Sequence, residues 1–134
     1  MFECLVLGDS IGLGAARAIN QHYALQCDVQ AVERATSSQI LRWKTPGKSY
    51  GSCVFAIGSN DAPDRALARN LLRIRSRICF RRVIWLLPYA RSQAYLVSSV
   101  AARFGDETLD LIRFPTRDHI HPRSYGEVAS ALLR

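Results

Sequence analysis

Short, almost wholly apolar runs punctuate the chain, and most are followed by a longer stretch in which apolar residues recur every three or four positions. Phe2–Leu7 and Arg82–Leu87 predict strands, and the fully apolar Cys53–Ile57 predicts a central strand. Cys27–Val32 predicts a weaker strand, and the alternating Thr108–Phe114 an edge strand. Between and after them, Ile11–Tyr23, Ser37–Trp43, Pro63–Arg77, Ser92–Phe104 and Pro122–Leu133 predict helices. Pro63 suits a first helical turn, Gly105 a C-terminal stop, and Thr45-Pro46-Gly47 ends the second helix. Strand and helix alternate five times over. That order predicts an α/β fold with a mainly parallel five-stranded sheet, helices on both faces and right-handed crossovers. Ligands of such sheets bind beyond the C-terminal ends of the strands, so the residues that follow each strand are where chemistry is sought.

A chain of 134 residues, 49% of them hydrophobic, is enough for one domain over 1–134 with its own core and too short for a TIM barrel. No apolar run is long enough to span a membrane, and MFECLVLGDS lacks the basic start and long apolar stretch of a secretory signal; the expected location is cytoplasmic. Cys4, Cys27, Cys53 and Cys79 follow no zinc or CxxC spacing and are expected as buried free thiols in a reducing compartment. Eighteen Lys and Arg against 11 Asp and Glu give a net charge of +7, and 16 of the 18 are Arg. Arg65, Arg69, Arg73 and Arg77 recur every four residues, opposite the apolar stripe Leu67, Leu71, Ile74 and Ile78. This is a solvated helix face or a docking surface for an anionic partner. No reader motif or interleaved aromatic residue points to nucleic acid. Trp43 and Trp85 are expected in packing.

Three clusters follow three different strands. Gly8-Asp9-Ser10-Ile11-Gly12 places Ser10 at a strand-to-helix turn, its hydroxyl exposed beside N–H groups able to stabilise a developing oxyanion. Gly58-Ser59-Asn60-Asp61 offers the Asn60 amide as a fixed donor at the same sheet edge. In Asp118-His119-Ile120-His121-Pro122, a spacing of three lets Asp118 accept from one nitrogen of His121 while the other faces Ser10. Nucleophile, oxyanion donor and acid–base pair on one rim make a set for acyl transfer. His119 and His121 as a metal pair lack a third ligand cluster. A dinucleotide loop fails because Arg17 stands where the third glycine of GxGxxG belongs. The α/β-hydrolase elbow matches Gly8-x-Ser10-x-Gly12, but a nucleophile at residue 10 and so short an Asp–His spacing argue against it.

These three clusters, in this order and over nearly the whole chain, resemble the SGNH/GDSL hydrolase superfamily: Gly8-Asp9-Ser10 its first block, Gly58-Ser59-Asn60-Asp61 its third, Asp118-x-x-His121 its fifth. The resemblance implies a flavodoxin-like, three-layer α/β/α sandwich and a metal-independent serine esterase or lipase-type activity without a cofactor. It implies Ser10, Asp118 and His121 as catalytic residues. It also implies an oxyanion hole of the Ser10 N–H, a second-block N–H and the Asn60 side chain. The second block departs from the pattern, since Glu33-Arg34-Ala35-Thr36-Ser37-Ser38-Gln39 contains no glycine. Ser38 is expected in its place, with Ser37 as competitor. Asp9, Ser37, Tyr89 and Arg91 are expected to bind substrate, Tyr89 flanking the acyl or sugar group and Arg91 attracting an anion. The resulting expectation is hydrolysis of short-acyl esters, carbohydrate O-acetyl groups first and lipid esters or thioesters second. The rival is a non-catalytic binding module that uses the arginine face.

Overall fold

A computed structural model describes residues 4–44, 50–78 and 81–134. In chain order the elements are β1 (Cys4–Gly8), α1 (Ser10–His22), β2 (Cys27–Ala31), α2 (Ser37–Arg42), β3 (Ser52–Ala56), α3 (Arg65–Ser76), β4 (Arg82–Leu87), α4 (Arg91–Phe104), β5 (Glu107–Asp110) and α5 (Tyr125–Leu132), with a 3-10 turn over Leu111–Arg113. The expected helix end at Thr45-Pro46-Gly47 lies outside the described residues, as do Phe2 and Cys79.

The sheet runs in the order β2-β1-β3-β4-β5, and every adjacent pair is parallel. Helices cover both faces, which makes the three-layer α/β/α sandwich. Side chains of each central strand alternate between two cores. Leu5, Leu7, Phe55 and Trp85 face Leu67, Leu71, Ile74, Val97 and Val100 of α3 and α4. Val6, Val54, Ile84 and Leu86 face Ile11, Ala15, Ile19, Val128 and Leu132 of α1 and α5. Burial on both sides is why these strands read as unbroken apolar runs. Each large apolar residue so enclosed contributes roughly 1.5–3 kcal/mol. Trp85 is fully buried, and its indole N–H donates to Asp106, which also takes a two-pronged contact from Arg75.

Differences from the expected boundaries have local causes. The third helix starts at Arg65 rather than Pro63, because the Asp64 carboxylate accepts from the N–H groups of Ala66 and Leu67 and becomes the N-cap. Asp110 ends β5 by accepting from Ile112, which turns the remaining alternating residues into the 3-10 turn. The last helix begins at Tyr125 behind a Ser124 cap; Pro122 instead bridges Thr116. Gly105 does end α4, in the left-handed conformation with φ 70°.

The free-thiol expectation is corrected for two cysteines. Cys4 and Cys27 are directly opposed in the β1/β2 register and form a disulfide, with Cα atoms 4.7 Å apart. Spacing in the sequence carries no register, so the pairing was not visible there. The disulfide also removes the argument for a reducing compartment. Cys53 is a buried free thiol whose pKa is pushed up by burial. No helix among the described residues is long and apolar enough to cross a membrane.

Candidate active site

The turn after β1 is constrained from several sides. Gly8 has φ +157°, and a Cβ there would sit 2.1 Å from the Ala56 carbonyl oxygen, so no side chain fits. The Asp9 N–H donates to that same oxygen at 3.0 Å. Asp9 is wholly buried and caps α1 by accepting from the Ile11 N–H at 3.0 Å. With Asp9 as the cap, Ser10 becomes the first helical residue and its hydroxyl is left for other partners. Burial raises the Asp9 pKa to about 7, against the lowering effect of the Ile11 and Gly12 N–H groups.

Ser10 Oγ lies 2.9 Å from His121 Nε2, across 111 positions of sequence. His121 Nδ1 lies 2.7 Å from Asp118 Oδ2. The carboxylate only accepts, so Nδ1 carries the proton and Nε2 is free to accept from the serine. The other Asp118 oxygen accepts from the N–H groups of His121 at 2.8 Å and Ile120 at 3.0 Å. These backbone bonds, with the imidazole, hold the Asp118 pKa well below the ordinary carboxylate range. The loop needs a left-handed residue at its tip, His119 with φ 62°. Thr116 latches it: its hydroxyl donates to the His121 carbonyl at 2.6 Å and accepts from the His119 N–H at 3.0 Å.

Asn60 reaches the first turn from the β3–α3 loop. Its amide donates to Asp9 Oδ2 at 3.3 Å and to the Ala35 carbonyl at 3.1 Å. The residue after β2 that meets Asn60 is therefore Ala35. Arg34, with φ 62°, turns the chain there without a glycine to announce it. Ser37, expected as competitor to Ser38 and as a substrate contact, is wholly buried. Its N–H lies 3.0 Å from both oxygens of Asp61, and its hydroxyl donates to Asp61 at 2.8 Å while accepting from Asn70. Asp61 thus ties α2 to the Asn60 loop, a positioning role that sequence reasoning missed although the residue sits in the motif it used. Ser38 is exposed in the first turn of α2.

Three further residues expected at the substrate are engaged within the protein. Asp9 is fully enclosed, so it can only act through its neighbours. Tyr89 is buried in the α1/α5 core, and its hydroxyl donates to the Phe114 carbonyl at 3.1 Å. Arg91 is held two-pronged by Asp110 and donates to the carbonyls of Tyr89 and Pro88. Both residues brace the β4–β5 edge; position after a strand does not reveal which way a side chain turns. Along α3, Arg65, Arg69 and Arg73 are exposed as expected of that face, while Arg77 donates to the Leu41 carbonyl of α2. No cluster of three His, Cys, Asp or Glu able to hold a metal ion occurs among the described residues.

The arrangement is that of a hydroxyl able to pass its proton to an imidazole whose tautomer and charge a carboxylate controls. No protein-family model matches the chain, and no curated protein matches it in sequence. Solved structures do match in fold. A protein assigned to the SGNH hydrolases, from Slackia heliotrinireducens, superposes with a TM-score of 0.74 at 17% identity, covering 98% of this chain and 96% of its own. Est24, a carbohydrate acetylesterase from Sinorhizobium meliloti, gives 0.64 at 10% identity, with 99% of each chain covered. The C-terminal catalytic domain of the Streptococcus pneumoniae peptidoglycan O-acetyltransferase A gives 0.62 at 16% identity, covering 98% of this chain and 93% of that one. The fold is that of the SGNH hydrolases.

Proposed function

We propose that this protein is a serine ester hydrolase of the SGNH type that cleaves short acyl groups, carbohydrate O-acetyl esters foremost. The observation that carries the reading is the continuous contact from Ser10 Oγ through His121 to Asp118, at 2.9 and 2.7 Å. Ser10 attacks the ester carbonyl while its proton passes to His121 Nε2. The tetrahedral oxyanion is held by the Ser10 N–H, by the Asn60 amide, which exchanges its long 3.3 Å contact with Asp9 for the oxyanion, and by the Ser38 N–H. The Ser10 and Ser38 N–H groups lie in first helical turns, where a helix supplies no acceptor of its own. Collapse of the intermediate expels the alcohol, which takes the proton from His121. Water, deprotonated by His121, then attacks the acyl-serine, and Ser10 recovers its proton as the acid leaves.

The acetyl preference draws on two of the structural neighbours, one described as a carbohydrate acetylesterase and one as a peptidoglycan O-acetyltransferase. The test is labelling by a fluorophosphonate together with hydrolysis of p-nitrophenyl acetate. The expected outcome is rapid labelling and turnover in the parent, with neither in Ser10→Ala at unchanged folding. Equal turnover by the two proteins overturns the reading. A panel from acetyl to palmitoyl esters should show rates falling with chain length; a rise would point to lipid esters. A folded protein that neither labels nor hydrolyses would favour the binding module, with Arg65, Arg69 and Arg73 as its docking face.

A further inference from the structure

The loop that carries His121 also carries two arginines whose charge nothing in the described protein answers. Thr116 and Pro122 form an antiparallel bridge, and the Arg123 N–H donates to the Pro115 carbonyl at 2.8 Å. Residues 115–123 are therefore a narrow hairpin-like loop. Residues facing each other across such a ladder share a side, as do residues two apart along one strand. Arg117 stands opposite His121, and Arg123 follows it by two. All three line one open cleft of about 360 Å³, together with Asp118 and Pro122.

Three arginines elsewhere are neutralised: Arg75 by Asp106, Arg82 by Glu107, Arg91 by Asp110. Arg117 and Arg123 are exposed, and among the described residues their guanidinium groups meet neither carboxylate nor carbonyl. The single carboxylate in the cleft, Asp118, is already occupied by the His121 ring and two backbone N–H groups. The cleft thus presents two unpaired planar cations next to the proton-transferring imidazole. Guanidinium matches the geometry of a carboxylate or phosphate.

We infer that Arg117 and Arg123 form an anion subsite for the alcohol portion of the ester, so that the substrate is an O-acyl ester whose alcohol carries a carboxylate or phosphate. The inference rests on the serine-hydrolase reading for its direction. His121 protonates the departing alkoxide, so the alcohol leaves on the His121 side, and His121 is the residue that this cleft shares with the Ser10 contact, while the carbonyl oxygen points toward Asn60.

The test compares kcat/KM for phenyl acetate, 4-carboxyphenyl acetate, 4-acetoxyphenyl phosphate and 3-(trimethylammonio)phenyl acetate in the parent and in the Arg117→Gln/Arg123→Gln double variant. The ratio of anionic to neutral ester should fall about three- to tenfold in the double variant, chiefly through KM, as expected for two exposed ion pairs. The cationic ester should move the opposite way, and added salt should erode the parent's preference. The carboxylate and phosphate arms show which anion fits better. An unchanged ratio overturns the subsite while leaving the esterase standing. If no ester is turned over, the esterase reading falls instead, and the subsite is judged by titrating Ser10→Ala with glucuronate while following the His121 ring by NMR. Saturable shifts lost in the triple variant with Arg117→Gln and Arg123→Gln support it; absence of saturable shifts overturns it.

Discussion

The turn after β1 and the loop before α5 each place an aspartate beside one member of the Ser10–His121 pair, and the surroundings of the two could hardly differ more. Asp9 has no exposed surface; the side chain of Asp118 is 51% exposed. Burial dominates at Asp9 and pushes its pKa up to about 7. Hydrogen bonds dominate at Asp118 and pull its pKa down. Ser10 stands on a turn held by the central sheet through Gly8, Asp9 and Ala56. His121 stands on a loop held by itself, through Asp118, Thr116 and the backbone between them. On the serine-hydrolase reading, the nucleophile must be fixed relative to the oxyanion donors, which the core would provide. The acid–base arm needs only a defined approach to the serine, which local bonds provide. The exposed arm is also the one that carries the exposed Arg117 and Arg123.

The largest effects should separate the two members of the exposed arm. His121→Ala removes the proton acceptor, and kcat for p-nitrophenyl acetate should drop on the order of 10⁴-fold or more. Asp118→Ala should cost about 10²–10⁴-fold, since the imidazole loses both its tautomer control and the bonds that shape its loop. Thermal melts of His121→Ala should stay close to the parent's near neutral pH, and Asp118→Ala should lose only the modest stability that an exposed group supplies there. A large loss of stability in Asp118→Ala would break the contrast, because it would show the loop to be integral to the core.

Asp9→Asn probes the buried side. Its raised folded pKa means that the native state holds more protons than the unfolded chain between about pH 4 and pH 7. Stability from this group therefore falls as pH rises through that window, by on the order of 4 kcal/mol in total, and is flat above it. Asp118 works in the opposite sense: its lowered pKa gives stability that is present above about pH 4 and is lost as pH falls below it. Asp9→Asn should remove the downward slope, read from denaturant melts across pH. It should also turn a second amide toward Asn60 Nδ2, donor against donor, and force the Asn60 side chain to flip. The oxyanion then loses a donor, and kcat should fall about 10²–10³-fold. Unchanged turnover in Asp9→Asn would show that Asn60 is oriented by Ala35 alone.

These contrasts also mark what could be read in advance. Strands buried on both faces announce themselves as apolar runs, so β1, β3 and β4 were legible nearly to the residue. The meeting of Ser10 with His121, and of Asn60 with the Asp9 turn, was legible from their places after strands, because a parallel sheet gathers those positions along one edge. Register and side-chain direction were not. Nothing in the spacing of Cys4 and Cys27 says that their strands lie side by side in phase. Nothing at Tyr89 or Arg91 says that Phe114 and Asp110 claim them. Ala35 stayed hidden because Arg34 takes the left-handed conformation that a glycine would have advertised.

The disulfide gives a third handle on the buried side. Cys4 and Cys27 close a loop with a sequence separation of 23 and join β1, the strand that leads into the Ser10 turn, to the edge strand β2. In the chain-entropy account a loop of that length is worth roughly 3 kcal/mol. Cys4→Ala/Cys27→Ala should lower the denaturation midpoint accordingly. Turnover per folded molecule should hold, since Gly8 and Asp9 remain fixed by Ala56. A loss of kcat without a loss of stability would mean that β2 helps to aim Ser10.

The smallest effect is the sharpest test of the self-held loop. Thr116→Val keeps the shape but removes the hydroxyl that donates to the His121 carbonyl and accepts from the His119 N–H. Each such bond contributes about 0.5–1.5 kcal/mol. The loop is exposed, so the His119 N–H and the His121 carbonyl can turn to water, and global stability should hardly change. What should change is the fraction of time that His121 Nε2 lies within reach of Ser10. A loss of about 1 kcal/mol in that equilibrium appears as roughly a fivefold fall in kcat with KM little altered. Fluorophosphonate labelling, which depends on the same contact, should slow in parallel. If Thr116→Val lowered stability and left kcat alone, the loop would be held by the core after all, and the division of labour between the two aspartates would fail.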